Sequence, residues 1–210
     1  MYQTASFWDG IAEKYAKTPI KDNQSYAYTL DRTRSYLRPE DRMLEIGCGT
    51  GSTALELAPQ VAHIVATDIS DAMLSKGRTK AAEQGIGNVE FAQADAEHAP
   101  SGPFDVVTAF NLLHLVEDID ATLAEIHQRV QPGGLFISKT FCMPDRFGLL
   151  TLMMHIGVPV MQFFGKAPYV AHLKASDLDA ALVRAGFTII EVGQGPTKDP
   201  RRYLVARREQ

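Results

Sequence analysis

The chain has 210 residues, 45% of them hydrophobic and 22% charged, with a formal net charge of −4. That length suits one domain with a sizeable core, and the mildly acidic balance excludes an electrostatic nucleic-acid binder; Arg201, Arg202, Arg207 and Arg208 read as solvated positions on an edge strand. Cys48 and Cys142 stand outside any CxxC pair, which argues against a structural zinc site; two free thiols in a reducing cytoplasm is the simpler reading, with one disulfide as the alternative.

The N-terminus, MYQTASFWDG, lacks a basic region followed by an apolar core, so no signal peptide is read there. FWDGIAEKYAK and YAYTLDRTRSYL read as two helices ahead of the first strand. RMLEI (42–46) is a buried strand, and STALELA follows it as a helix. HIVATDI (63–69) is the second strand, and 71–85 is a helix stopped by Gly85. NVEFAQAD (88–95) and FDVVTAFN (104–111) are strands three and four. The helix over 118–130 places Ile119, Leu123, Ile126 and Val130 on one face, and QPGG after it is a turn. LFISKTF (135–141) is the fifth strand.

Strict alternation of strand and helix implies a parallel sheet covered on both faces. The ligand crevice of such a sheet lies at the carboxyl ends of its strands. Asp68, Asp95, Asn111 and the glycine loop after strand one all fall there. The alternation then breaks at the apolar stretch FGLLTLMMHIGVPVMQFFG (147–165). Gly157, Pro159, His155 and Gln162 interrupt it, so it is not read as a transmembrane helix. A helix over 176–187 follows, with Ser176 as N-cap and Gly186 as stop. TIIEVGQG (188–195) and RRYLVARR (201–208) are close enough to pair as an antiparallel hairpin.

Gly47, Gly49 and Gly51 follow strand one in a G-x-G-x-G spacing, which differs from the G-x-G-x-x-G of dinucleotide sites. Asp68, 21 positions after Gly47, can accept hydrogen bonds from a ribose diol, or cap the following helix. Glu45 discriminates between ligands. A carboxylate beside a pyrophosphate is repelled, whereas beside a cation it is favoured, more so when half-buried. The ligand implied is an adenosine that carries positive charge and no phosphate. Asp95 can accept from an adenine amino group, or cap its own loop.

LEIGCGTG, VATDIS, QADAE, FDVVTAFNLLHLVED and VQPGGLFI, in this order over residues 40 to 140, resemble the class I S-adenosylmethionine-dependent methyltransferases of small-molecule type. The resemblance implies an α/β, Rossmann-like, doubly wound seven-stranded sheet of order 3-2-1-4-5-7-6 with strand seven antiparallel. It implies one domain over 1–210, with N-terminal helices (1–38) over the cofactor site and an apolar insertion or lid at 143–170. It places Gly47, Cys48, Gly49 and Gly51 under the methionyl and ribose parts of S-adenosyl-L-methionine, and Glu45 at the methionine ammonium. It gives the ribose to Asp68, the adenine faces to Ile69 and Met73, the adenine amino group to Asp95 and a ring nitrogen to the Ala96 backbone. The Asn111 backbone would bond the ammonium, and Tyr15 would close over the methionine end.

The expected reaction is in-line transfer of a methyl group to a small, lipophilic or aromatic acceptor, leaving S-adenosyl-L-homocysteine. His114, just past strand four, is the candidate general base. His98 reads as an exposed loop residue and His155 as a packed one; Asp145 and Arg146 are candidates for a polar head group. Met153, Met154, Met161, Phe147, Phe163 and Phe164 make the insertion a lid over an apolar acceptor, a packed cover, or a dimerisation or membrane-surface contact. No metal cluster and no nucleic-acid partner is expected. A nicotinamide-dependent oxidoreductase and a non-catalytic S-adenosylmethionine-binding module are the rival readings.

Overall fold

Apolar runs of four to seven residues lack room to bury themselves except in a sheet covered on both sides. In the computed structural model, which describes residues 2–143, 153–193, 195–197 and 200–210, they form a seven-stranded sheet. The strands are β1 (Arg42–Ile46), β2 (His63–Asp68), β3 (Val89–Gln93), β4 (Phe104–Phe110), β5 (Val130–Phe141), β6 (Phe187–Gly193) and β7 (Arg201–Arg208). Their order is β3-β2-β1-β4-β5-β7-β6. The first five are parallel, and β7 runs antiparallel between β5 and β6. This is the order and hairpin that the resemblance implies.

Seven α-helices are found among the described residues, beside three short helical turns: α1 (Tyr2–Lys17), α2 (Asn23–Arg34), α3 (Ser52–Leu57), α4 (Asp71–Gln84), α5 (Ile119–Arg129), α6 (Val158–Phe163) and α7 (Ala175–Arg184). The strand period of two divides the buried residues between the faces. Leu44, Val107 and Phe136 pack with Leu123 of α5 and Leu178 of α7. Met43, Ile64, Val106 and Ile137 pack on the other side with Leu30, Ala54, Leu57 and Leu74. Glu45 shares the face of Met43 and Lys139 the face of Ile137, so both charged side chains lie on the α2–α3–α4 side. The polar end of that layer is where the site forms.

Local signals act as their chemistry dictates. Ser70 caps α4 by accepting the Met73 N–H at 3.1 Å, and Gly85 ends it in the left-handed region at φ 67°. Two expectations need correction. QPGG is not a turn ahead of β5: Val130 already pairs with Phe104, and the ladder resumes at Val106 and Leu135, so the glycines pass through an irregularity inside the strand. Ser176 is not the cap of α7, which begins at Ala175; the Lys174 N–H donates to Asp177 Oδ2 at 3.3 Å instead. Of the apolar insertion, Asp145, Arg146 and Phe147 lie outside the described residues. From Met153 the chain forms a wide helical turn to Gly157 and then α6. No helix among the described residues is long and apolar enough to cross a membrane.

Candidate functional site

The carboxyl ends of β1, β2 and β4 surround a cavity of about 610 Å³, a size that suits a nucleoside cofactor with a small partner. Tyr15, Glu45, Gly47, Cys48, Gly49, Asp68, Ile69, Met73, Asp95, Ala96 and Asn111 all line it. Residues spread over a hundred positions meet there because a doubly wound sheet brings its strand ends to one edge.

The glycine loop is tied from several directions. The Cys48 N–H donates to Thr67 O at 2.8 Å, and the Gly51 N–H to Cys48 O at 2.9 Å. Asp68 Oδ2 accepts the Gly49 N–H at 2.8 Å, and its Oδ1 accepts the Ser70 N–H at 2.9 Å. Gly49 has φ 55°, and a Cβ there would meet nothing nearer than Tyr15 Cε1 at 4.0 Å. Its open side therefore belongs to the cavity. Gly51 does not line the cavity. It begins α3 with φ 70°, and a Cβ would press into the Phe91 ring at 2.5 Å, so its smallness serves packing. From below, Lys80 Nζ donates to Thr50 Oγ1 at 2.9 Å, Ser52 Oγ at 2.9 Å and Thr50 O at 3.1 Å.

Glu45 is 2% exposed, and its Oε2 has no hydrogen-bond partner among the described residues. Burial, then the nearby Asp68 charge, pushes its carboxyl up to about 8. Asp68 is also raised by burial, with the Ser70 and Gly49 N–H groups pulling the other way. Two acidic groups around a cavity, one without a donor, fit a ligand that brings positive charge and N–H groups. They do not fit a pyrophosphate. The donor set thus fits a cationic nucleoside.

Asp95 performs the loop-capping task as well: its Oδ1 accepts the Glu97 N–H at 3.0 Å and the His98 N–H at 2.8 Å, with the His98 ring at 2.8 Å. Asn111 sits at φ 57°, and its N–H donates to Lys139 O at 2.7 Å. Its carbonyl is therefore the backbone group that can serve a ligand ammonium. From α1, Trp8 and Tyr15 line the cavity, 6.3 Å apart edge to face. That helix is held by Asp9, which accepts from Ser70 Oγ at 2.5 Å, and by a Glu13–Lys76 ion pair.

His114 is not brought to the cavity. It lies in a tight turn, Leu113–Leu115, and its neighbours Leu112 and Leu115 line the wall instead. Its ring stands 5.9 Å from Phe141, and its buried Nδ1 has no partner among the described residues. Burial first, and Arg201 second, lower its pKa to about 4. Among the described residues, none of 153–170 lines the cavity. Phe163 is 86% exposed, with Phe164, Met153, Val160 and Met161 also on the surface, and the His155 ring stacks on His172 at 4.2 Å.

Several wall residues carry no motif: Tyr26 and Thr29 on α2, Ile20 before it, Lys139 on β5 and Arg201 on β7. Lys139 Nζ donates to Ser25 Oγ at 2.6 Å and Thr29 Oγ1 at 3.1 Å. A lysine in an otherwise apolar strand was the one available signal for that wall.

Residues 43–134 match a family model described as a methyltransferase domain. The ubiquinone/menaquinone biosynthesis C-methyltransferase UbiE of Teredinibacter turnerae is 39% identical over 117 residues, 53% of this chain and 47% of that protein. The chain thus spans about half the length of the curated relatives it matches. Among solved structures, magnesium protoporphyrin IX methyltransferase (ChlM) from Synechocystis, crystallised with bound SAH, superposes with a TM-score of 0.74 at 23% identity, covering 99% of this chain and 97% of that one. The [4+2]-cyclase SpnF superposes at 0.72 with 19% identity, covering 87% and 80%.

Proposed function

We propose that this chain, whose residues 43–134 form a methyltransferase domain and whose fold is that of the class I S-adenosylmethionine-dependent methyltransferases, moves a methyl group from S-adenosyl-L-methionine to a small apolar or aromatic acceptor. The observation that carries the reading is Glu45: a buried carboxylate with no donor among the described residues, lining one cavity with Asp68 and the glycine loop. When bound, the cofactor supplies an electrophilic methyl on a positively charged sulfur.

The chain's own residues would then bind and align. Asp68 keeps lone pairs beyond those given to Gly49 and Ser70, and would accept the ribose hydroxyls. Glu45, ionised, and the Asn111 carbonyl would accept from the ammonium. Met73, which is buried, and Ile69 would hold the adenine, with Asp95 and the Ala96 backbone at its edge. Trp8 and Tyr15 would exclude water from the methyl, where alignment dominates the rate. Ile20, Leu112, Leu115 and Val116 give the cavity an apolar stretch for the acceptor. The name of the UbiE relatives supports an electron-rich ring as that acceptor. His114, which is off the cavity wall, takes no proton from the acceptor in this reading. Two free cysteines suit a cytoplasmic setting. The exposed apolar side chains of Met153, Val160, Met161, Phe163 and Phe164 would suit contact with a membrane surface.

The test is transfer of labelled methyl from S-adenosyl-L-methionine to a panel of dihydroxynaphthalenes, catechols and simple phenols. Labelled product from at least one ring is the expected result. Tight cofactor binding with no product from any acceptor would favour a second reading, a cofactor-binding protein of other chemistry. The likeness of fold to a [4+2]-cyclase gives that reading its footing.

A further inference from the structure

Two polar atoms of the cavity residues have no partner among the described residues, and they come from different elements. One is Glu45 Oε2 on β1, and the other is Tyr26 Oη on α2. Buried polar atoms are almost always satisfied, and an unmade bond is costly. Two orphans on residues that line one cavity therefore mark a place where a ligand brings the missing groups. Their demands are opposite. Once ionised, Glu45 only accepts, whereas the phenol has one O–H to give. An α-amino acid end answers both, since it presents ammonium N–H donors beside carboxylate oxygens.

We infer that Tyr26 recognises the α-carboxylate of the ligand's amino-acid end, opposite Glu45, and makes the cavity specific for an intact amino-acid tail over a truncated nucleoside. The inference rests on the cofactor reading above.

The fold holds Tyr26 in place through the rest of α2. Asp22 caps the helix, accepting the Ser25 N–H at 2.9 Å. Lys139 reaches across from β5 to Ser25 Oγ and Thr29 Oγ1. One turn further, Thr33 Oγ1 lies 3.4 Å from Tyr203 Oη, and Arg32 pairs with Glu191. Positions 25, 29 and 32–33 form one stripe at helical spacing, so α2 is fastened to the sheet along its length. Tyr26 is offset from that stripe by one residue. Its ring packs on the core below the glycine loop, with Thr53 of α3 beside its hydroxyl. Lys139 also lines the cavity and adds positive charge on the Tyr26 side, which favours a carboxylate there.

The test is calorimetric titration of the wild type and Tyr26→Phe with two probes, S-adenosyl-L-homocysteine and 5′-methylthioadenosine. The second keeps the nucleoside and lacks the amino-acid end. Tyr26→Phe is expected to weaken S-adenosyl-L-homocysteine about ten- to a hundredfold, the worth of a hydrogen bond to a charged group. Its affinity for 5′-methylthioadenosine stays unchanged. In the empty protein the variant melts near the wild-type temperature, because it keeps the ring that packs on the core. Equal weakening of both probes, or no weakening of S-adenosyl-L-homocysteine, overturns the assignment while the cofactor reading stands. Failure of the wild type to bind S-adenosyl-L-homocysteine overturns both.

Discussion

Asp68 Oδ2 accepts the Gly49 N–H at 2.8 Å, so the carboxylate ending β2 fixes the glycine loop that ends β1. The same carboxylate holds the Ser70 N–H, one residue before α4. One side chain thus ties the glycine loop to the start of α4. Asp68→Ala is expected to weaken S-adenosyl-L-homocysteine by about 1–3 kcal/mol, and to lower stability by about 1–2 kcal/mol from the two released N–H groups. Calorimetry and thermal unfolding measure the two separately. Unchanged affinity would contradict the ribose assignment.

Cofactor binding is expected to depend on pH through Glu45. Its carboxyl sits at about 8 in the empty protein, above its ordinary value. Between roughly pH 4.5 and 8 the folded state therefore holds a proton that the unfolded state has lost, and stability falls as pH rises. Glu45→Gln, which cannot ionise, should flatten that fall and leave the empty variant more stable at pH 8, on the order of a few kcal/mol. Binding has the opposite trend: a ligand ammonium prefers the ionised form, so wild-type affinity rises toward pH 8 with proton release. Calorimetry in buffers of different ionisation enthalpy reads that proton directly. Zero protons released at pH 7 would remove Glu45 from the ammonium contact.

His114, which is off the cavity wall, is expected to show itself in the pH dependence of stability. Its pKa is lowered to about 4, so between about pH 6.5 and 4 the unfolded state takes up a proton that the folded state refuses. The stabilising contribution is complete above pH 6.5 and is lost as pH falls toward 4. His114→Phe should flatten that acid limb in unfolding curves taken at a series of pH values, and leave S-adenosyl-L-homocysteine affinity as it was. A large loss of affinity in this variant would put the ring back at the cavity.

The glycines separate by role. Gly51→Ala combines a left-handed φ of 70° with a Cβ 2.5 Å from Phe91, so it should destabilise the protein by about 1–3 kcal/mol. Gly49→Ala also has a left-handed φ, but its Cβ meets open space toward Tyr15, and its extra cost should fall on ligand affinity. Unfolding and titration of both variants check the contrast. Equal effects on both measurements would dissolve it.

Much of the fold was legible because alternation of strand and helix needs only local pattern, as the runs RMLEI and HIVATDI illustrate. Glu45 and Asp68 were legible because each is a carboxylate at the end of an apolar strand, where charge needs a reason. His114 misled because position along the chain does not give direction. In a turn of three residues per rotation, Leu112 and Leu115 share a side and His114 faces elsewhere. Tyr26, Lys139 and Arg201 were not found because they reach one cavity only through long-range packing of α2 against β5 and β7. From composition the insertion read as a packed cover, an acceptor lid, or a dimerisation or membrane-surface contact; among its described residues Phe163 and Phe164 are exposed, and none of 153–170 lines the cavity.

The central claim is that the cavity takes a cationic, phosphate-free nucleoside. Side-by-side calorimetric titration with S-adenosyl-L-methionine and NADH tests it most directly. The account predicts saturable one-to-one binding of S-adenosyl-L-methionine, weakened by Asp68→Ala, and no binding of NADH. Saturable binding of NADH with none of S-adenosyl-L-methionine would contradict it.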